Sequence, residues 1–174
     1  MLLAFTKMNG AGNDFILLDN RDGGVTLTPA QIRRLCDRHR GIGADGLMTL
    51  VPGASGRADW AWQFFNRDGS RGEMCGNGAR CFARFVQRII GGERGFTFET
   101  DAGVITATFA GEQVTVNLTA PQELCLHQTV TLATGPVTIH SVNTGVPHDV
   151  LYVPDADQAM VPSLGPEIRH HPHF

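Results

Sequence analysis

A chain of 174 residues, 42% of them apolar, can bury a real core as one domain or as two small ones. Its net charge of −3 is spread without any block of like charge, which argues against nucleic acid or an anionic membrane as the main partner. No run approaches the ~18 apolar residues of a membrane span, and residues 1–8, with Lys7 among them, do not make a signal peptide, so the expected location is cytoplasmic.

Cysteine and lysine usage narrow the chemistry. Cys36, Cys75, Cys81 and Cys125 are irregularly spaced and match no zinc knuckle, so reduced thiols and no metal are expected. Lys7 is the single lysine, placed in an N-terminal strand with no phosphate loop nearby. A pyridoxal-phosphate Schiff base is therefore not expected, and no other cofactor is implied.

Residues 2–8 and 15–19 read as strands joined by the glycine-rich tip 9–14, which carries Asn13 and Asp14. Both residues favour turns, and making the turn is the simpler reading of them. Thr28-Pro29-Ala30-Gln31 opens a helix with a capping threonine and proline at the first position, and Ile32, Leu35, Cys36 and His39 line one face. The glycines at 41, 43 and 46 match G-x-G-x-x-G, but a helix precedes them and a strand, 47–51, follows. A dinucleotide site needs the reverse order, so NAD and FAD are excluded and a tight connection is expected. Residues 59–65 form an aromatic-rich strand. Asn66 ends it a few residues before Cys75, able to face the same pocket or only to make the turn.

The organising stretch is Glu73-Met74-Cys75-Gly76-Asn77-Gly78-Ala79-Arg80-Cys81. A helical pattern begins directly after Cys75. Cys81, Phe82, Phe85, Val86, Ile89 and Ile90 face a core, Arg80, Arg84, Gln87 and Arg88 face away, and Gly91-Gly92 ends the pattern. The first helical N–H groups lack intrahelical partners and the dipole is positive there, which favours a thiolate at Cys75. Gly76 and Gly78 let a ligand approach the backbone, whose N–H groups suit a carboxylate. A reactive thiolate beside an anion cradle and a buried structural cysteine before an ordinary helix are both open readings.

Three strands, 95–100, 104–109 and 113–118, then form a β-meander. Residues 120–128 read as a linker. A second β unit begins with 130–132 and 137–143, joined by Gly135-Pro136, and a loop at 144–148 precedes the strand 149–153. Residues 164–171 look like the opening of a short helix. His170, His171 and His173 are poorly spaced for a metal, and a frayed or partner-packed terminus is expected.

Several motifs in order resemble the diaminopimelate epimerase family: Lys7-Met8-Asn9-Gly10-Ala11-Gly12-Asn13-Asp14-Phe15, the string from Arg38 to Gly46, Phe65-Asn66-Arg67-Asp68-Gly69-Ser70, Met74-Cys75-Gly76-Asn77-Gly78-Ala79-Arg80-Cys81, and Asn143-Thr144-Gly145-Val146-Pro147-His148. The resemblance implies an α+β fold of two similar domains, each a β-sheet wrapped around a central helix, with one catalytic cysteine from each. It implies cofactor-independent interconversion of LL- and meso-diaminopimelate in lysine biosynthesis, by a homodimer. Carried onto this sequence, Cys75 and His148 would be catalytic, His148 tuning the cysteine. Asn13, Asn66, Gly76 and Asn77 would bind substrate.

The chain also departs from the family pattern. It has no Cys-Gly-Thr-Gly-like motif for the second cysteine, Gly46 stands where many members have glutamine, and Val146 where many have a substrate-contacting asparagine. Residues 1–119 are thus expected to be a complete first domain, and 120–174 the truncated start of a second, in an inactive N-terminal fragment. Alternatives are a proline-racemase-like or other isomerase of the same fold, or a non-catalytic amino-acid-binding remnant.

Overall fold

The computed structural model describes residues 2–92 and 94–174. The chain divides into two compact units, Met1–Thr119 and Ala120–Phe174. The first contains β1 (Thr6–Gly10), β2 (Asn13–Asp19), α1 (Pro29–Cys36), β3 (Gly46–Pro52), β4 (Trp60–Asn66), α2 (Gly76–Ile90), β5 (Phe96–Thr100), β6 (Gly103–Ala110) and β7 (Gln113–Asn117). Its seven strands form one sheet in sequence order. Only the β2–β3 and β4–β5 pairs are parallel, and those are the two connections that carry the helices.

This topology follows from alternation along the strands. In β2, Phe15 and Leu17 face the cluster built on α2, while Ile16 and Leu18 face the one built on α1. Successive strand residues point to opposite faces, so a strand buried on both sides reads as a continuous apolar run. Phe82 is the centre of the α2 side. Its ring lies 5.7 Å from that of Trp62 and 4.9 Å from that of Phe98, and strands from β1 to β7 supply apolar side chains to the same cluster. The sheet therefore curls around α2, the α+β arrangement expected of the family.

Capping sets the helix limits. Thr28 and Gln31 form a reciprocal capping box at α1. That helix ends at Cys36, so His39 lies beyond it and is exposed, in a turn where the Asp37 carboxylate accepts the N–H groups of His39 and Arg40. Gly41 makes the tight connection: a Cβ there would stand 2.1 Å from the Arg34 carbonyl oxygen. At the end of α2 the expected faces are exchanged. Gln87 is buried and donates to the Gly92 carbonyl at 3.0 Å, while Ile90 in the last turn is exposed.

The second unit contains β8 (Gln122–Leu132), β9 (Gly135–Asn143), β10 (Pro147–Leu151) and α3 (Val161–Arg169). The strands form a three-stranded antiparallel sheet in the order β10-β9-β8. Val130, Leu132 and Ile139 pack with Leu164 and Ile168 of α3. The stretch read as a linker is the first half of β8. Its register slips between Gln122 and Cys125 and again between Cys125 and Gln128, and Glu123 and His127 take positive φ. Such bulges leave residues unpaired and erase the alternation by which a strand is recognised. Among the described residues no helix is long and apolar enough to cross a membrane.

Candidate active site

Cys75 is the N-cap of α2. Its backbone is extended (φ −150°, ψ 111°), its carbonyl accepts the Ala79 N–H at 2.7 Å, and its Sγ accepts the Gly78 N–H at 3.4 Å. The N–H groups of Gly76 and Asn77 open the helix and have no upstream helical carbonyl to receive them. With the positive end of the helix dipole, they offer a seat for a carboxylate beside the sulfur. Two glycines make this placement possible. A Cβ at Gly78 would lie 2.2 Å from Met48 Cε, and one at Gly10 would lie 2.8 Å from both the Asn77 carbonyl oxygen and Cys81 Sγ. The first turn of α2 thus rests directly on β3 and β1.

Cys75 is half-buried, whereas Cys36 and Cys81 are buried in the two clusters of the first unit. Burial pushes each of those two thiols up to about 11. At neutral pH that corresponds to about a hundredfold less thiolate than an ordinary cysteine carries. Limiting iodoacetamide is therefore expected to alkylate Cys75 and the exposed Cys125, and to leave Cys36 and Cys81 largely unmodified, as read by peptide mass spectrometry. Equal labelling of Cys81 and Cys75 would contradict this ordering of the thiols.

Asn13 and Asn77 are brought together: Asn77 Nδ2 donates to Asn13 Oδ1 at 2.8 Å. Asn66 stands at the end of β4, opposite Gly46, and its side chain is used in its own turn, Nδ2 donating to Ser70 Oγ at 3.1 Å. His148 belongs to the second unit, where it is exposed on β10 opposite Val142. Gly46 has a packing reason: a Cβ there would lie 2.8 Å from Phe64 Cε2 and 2.9 Å from the Phe65 carbonyl oxygen. A longer side chain at this position has no room in this packing.

Four charged residues absent from the sequence-derived site surround the two asparagines. Asp45 accepts from Asn13 Nδ2 at 3.4 Å and from the Asp14 N–H at 3.0 Å. Arg38 bridges Asp45 and Asp14 at 2.9 and 2.8 Å, and Arg80 donates to Asn77 Oδ1. The Arg38 guanidinium, first of all, holds the Asp14 carboxyl below its ordinary range, and the Asp14 N–H does the same for Asp45, with Arg38 adding to it. Their ionised forms therefore persist throughout the range in which a thiol titrates. An acidic residue inside a glycine-rich loop, with an arginine just before that loop, was the available signal for the Asp45–Arg38 pair.

Solved structures share this architecture. A hydroxyproline epimerase from Agrobacterium vitis, solved with trans-4-OH-L-proline, superposes with a TM-score of 0.64 over 84% of this chain and 50% of its own, at 18% identity. A probable proline racemase from Agrobacterium radiobacter gives 0.64 over 86% and 52%, also at 18% identity. A methylitaconate-delta-isomerase gives 0.53 over 87% and 53%, at 12% identity. These likenesses define the fold class, the α+β architecture in which a sheet wraps a central helix.

Sequence comparison places the chain within that class. The profile described as diaminopimelate epimerase matches residues 5–124. The diaminopimelate epimerase of Nitrosomonas europaea is 43% identical over 188 aligned residues, and that of Synechocystis sp. is 41% identical over 191; each covers the whole of this chain and 68% of the relative. The chain belongs to the diaminopimelate epimerase family, a family of isomerases.

Proposed function

We propose that this chain supplies the first half of a two-thiol site that interconverts LL- and meso-diaminopimelate without a cofactor. The observation that carries this is Cys75 at the mouth of α2, its sulfur next to the unreceived N–H groups of Gly76 and Asn77. The substrate Cα–H is a very weak acid. The Cys75 thiolate takes or returns that proton on one face, and the electron pair left on Cα spreads into the carboxylate. The two N–H groups and the helix dipole hold that growing charge. A thiol on the opposite face delivers a proton and becomes the thiolate, so that protons and charge balance over each turnover.

The second thiol is none of the other three in these residues. Cys36 and Cys81 are buried and poorly ionised, and Cys125 stands exposed on β8 in the second unit. In this reading Asn13 and Asn66 bind substrate, His148 tunes Cys75, and the active form is a homodimer. Residues 120–174 form the beginning of the domain that bears the second cysteine. The four free cysteines fit a reducing compartment, and the cytoplasm is the proposed location.

The test uses the protein as its own cells make it, with LL-diaminopimelate in deuterated water and no added cofactor. Deuterium at one Cα together with formation of the meso isomer is the expected result. Racemisation of L-proline but not diaminopimelate would move the chain to a proline-racemase-like isomerase. Binding without Cα exchange would leave only an amino-acid-binding remnant. The 174 residues produced alone are expected to give no epimerisation, for want of the second base.

A further inference from the structure

The side chains beside Cys75 form a directed relay. Arg80, which can only donate, bonds Asn77 Oδ1. This turns the Asn77 amide so that its Nδ2 donates to Asn13 Oδ1 at 2.8 Å. Asn13 Nδ2 then points to Asp45 Oδ2 at 3.4 Å. Asp45, ionised, can only accept, and it also receives the Asp14 N–H at 3.0 Å and Arg38 Nη2 at 2.9 Å. A carboxamide alone could sit either way round, because its oxygen and nitrogen ends have nearly the same shape. Here a donor-only group at one end and an acceptor-only group at the other leave a single orientation for both amides.

We propose that Asp45 and Arg80 are positioning residues that fix the Asn13 carboxamide with one Nδ2 hydrogen uncommitted, so that Asn13 receives a carboxylate oxygen of the substrate and not its ammonium. This rests on the reading of the Cys75 site as an amino-acid epimerase site. The amide has two N–H donors, and Asp45 takes one. Its oxygen already faces Asn77, and the Asp45 carboxylate already holds three donors. An incoming ammonium therefore meets an N–H donor and would have to compete with Asn77 for the amide oxygen and with three donors for Asp45, whereas a carboxylate meets a matching N–H. If residue 45 could also donate, Asn13 could turn over and present its oxygen to the carboxylate instead.

The test has two readouts on the protein purified from its own cells. In isotope-labelled protein, the Nδ2 NMR signals of Asn13 and Asn77 are expected to move together in Asp45→Asn and in Arg80→Gln. Unmoved signals overturn the relay whatever the catalysis does. In turnover, both variants are expected to raise KM for diaminopimelate about tenfold, the scale of one lost hydrogen bond to a charged group. Their kcat should change less than about threefold. Arg80→Lys, still donor-only, is expected to recover most of the lost affinity. A merely structural role would reduce the folded fraction, which lowers kcat and leaves KM in place; that pattern overturns the proposal. If the unsubstituted protein fails to turn over diaminopimelate while the amide signals move as expected, the relay stands and the diaminopimelate reading falls.

Discussion

Cys75→Ser is expected to abolish epimerisation without weakening the fold. Cys75 caps α2 only loosely, its Sγ accepting the Gly78 N–H at 3.4 Å. Serine is among the strongest N-cap residues, and its oxygen can accept the same N–H at closer range. The melting temperature of the first unit should therefore hold or rise. Catalysis should fall the other way, because an alcohol is a far weaker acid than a thiol and gives almost no anion at neutral pH. Losing a positioned general base costs about a hundredfold to ten-thousandfold in rate. Cys75→Ala removes both cap and base, so it should show the same catalytic loss with a modest drop in stability, below the ~1 kcal/mol typical of a strong cap. The measurement is deuterium entry at Cα of LL-diaminopimelate, set beside a thermal melt of the same sample. Turnover surviving in Cys75→Ser would remove the sulfur from the reaction. A collapse of stability in that variant would turn Cys75 into a structural residue.

The parts of the site that could be read from sequence are those made by neighbours in the chain. The glycine turn, Cys75 and the first turn of α2 span a few consecutive residues, and local chemistry is enough to place a sulfur at a helix mouth. The α2 core face was legible for the same reason, apart from its last turn. There Ile90 is exposed while Gln87 folds back to the Gly92 carbonyl, an outcome that depends on where packing stops.

The relay was not legible. Asn13 begins β2, Asp45 immediately precedes β3 and Asn77 is the second residue of α2. They meet only because β2 and β3 pair in parallel, with Phe15 opposite Gly46, and because Gly10 admits α2 against β1. Periodicity reveals which face of an element is buried, but not which distant polar group will stand opposite. β8 escaped detection for a different reason. Leu124 and Leu126 stand in solvent beside the register slips, so the strand has no buried face over its first half.

Phe82→Ala carries the largest expected effect on stability. The ring is fully buried, in contact with Trp62 and Phe98, and it sits about two turns along α2 from Cys75. Removing a buried phenylalanine ring costs ~3–5 kcal/mol, through lost burial and the cavity left behind. A domain of ordinary stability holds only ~5–15 kcal/mol in total. The variant should therefore lose a large part of its margin. Tryptophan fluorescence suits the measurement, because both tryptophans, Trp60 and Trp62, lie in β4 and the second unit contains neither. A fall of the melting temperature by about 10 °C or more is expected, with catalysis disappearing along the same transition, since the helix that loses its central contact is the one that holds Cys75. Phe82→Leu fills part of the cavity and should cost less than half as much. If Phe82→Ala melted where the unsubstituted protein does, α2 would not be the element around which the sheet is built. The N–H groups proposed to receive a substrate carboxylate would then need some other support.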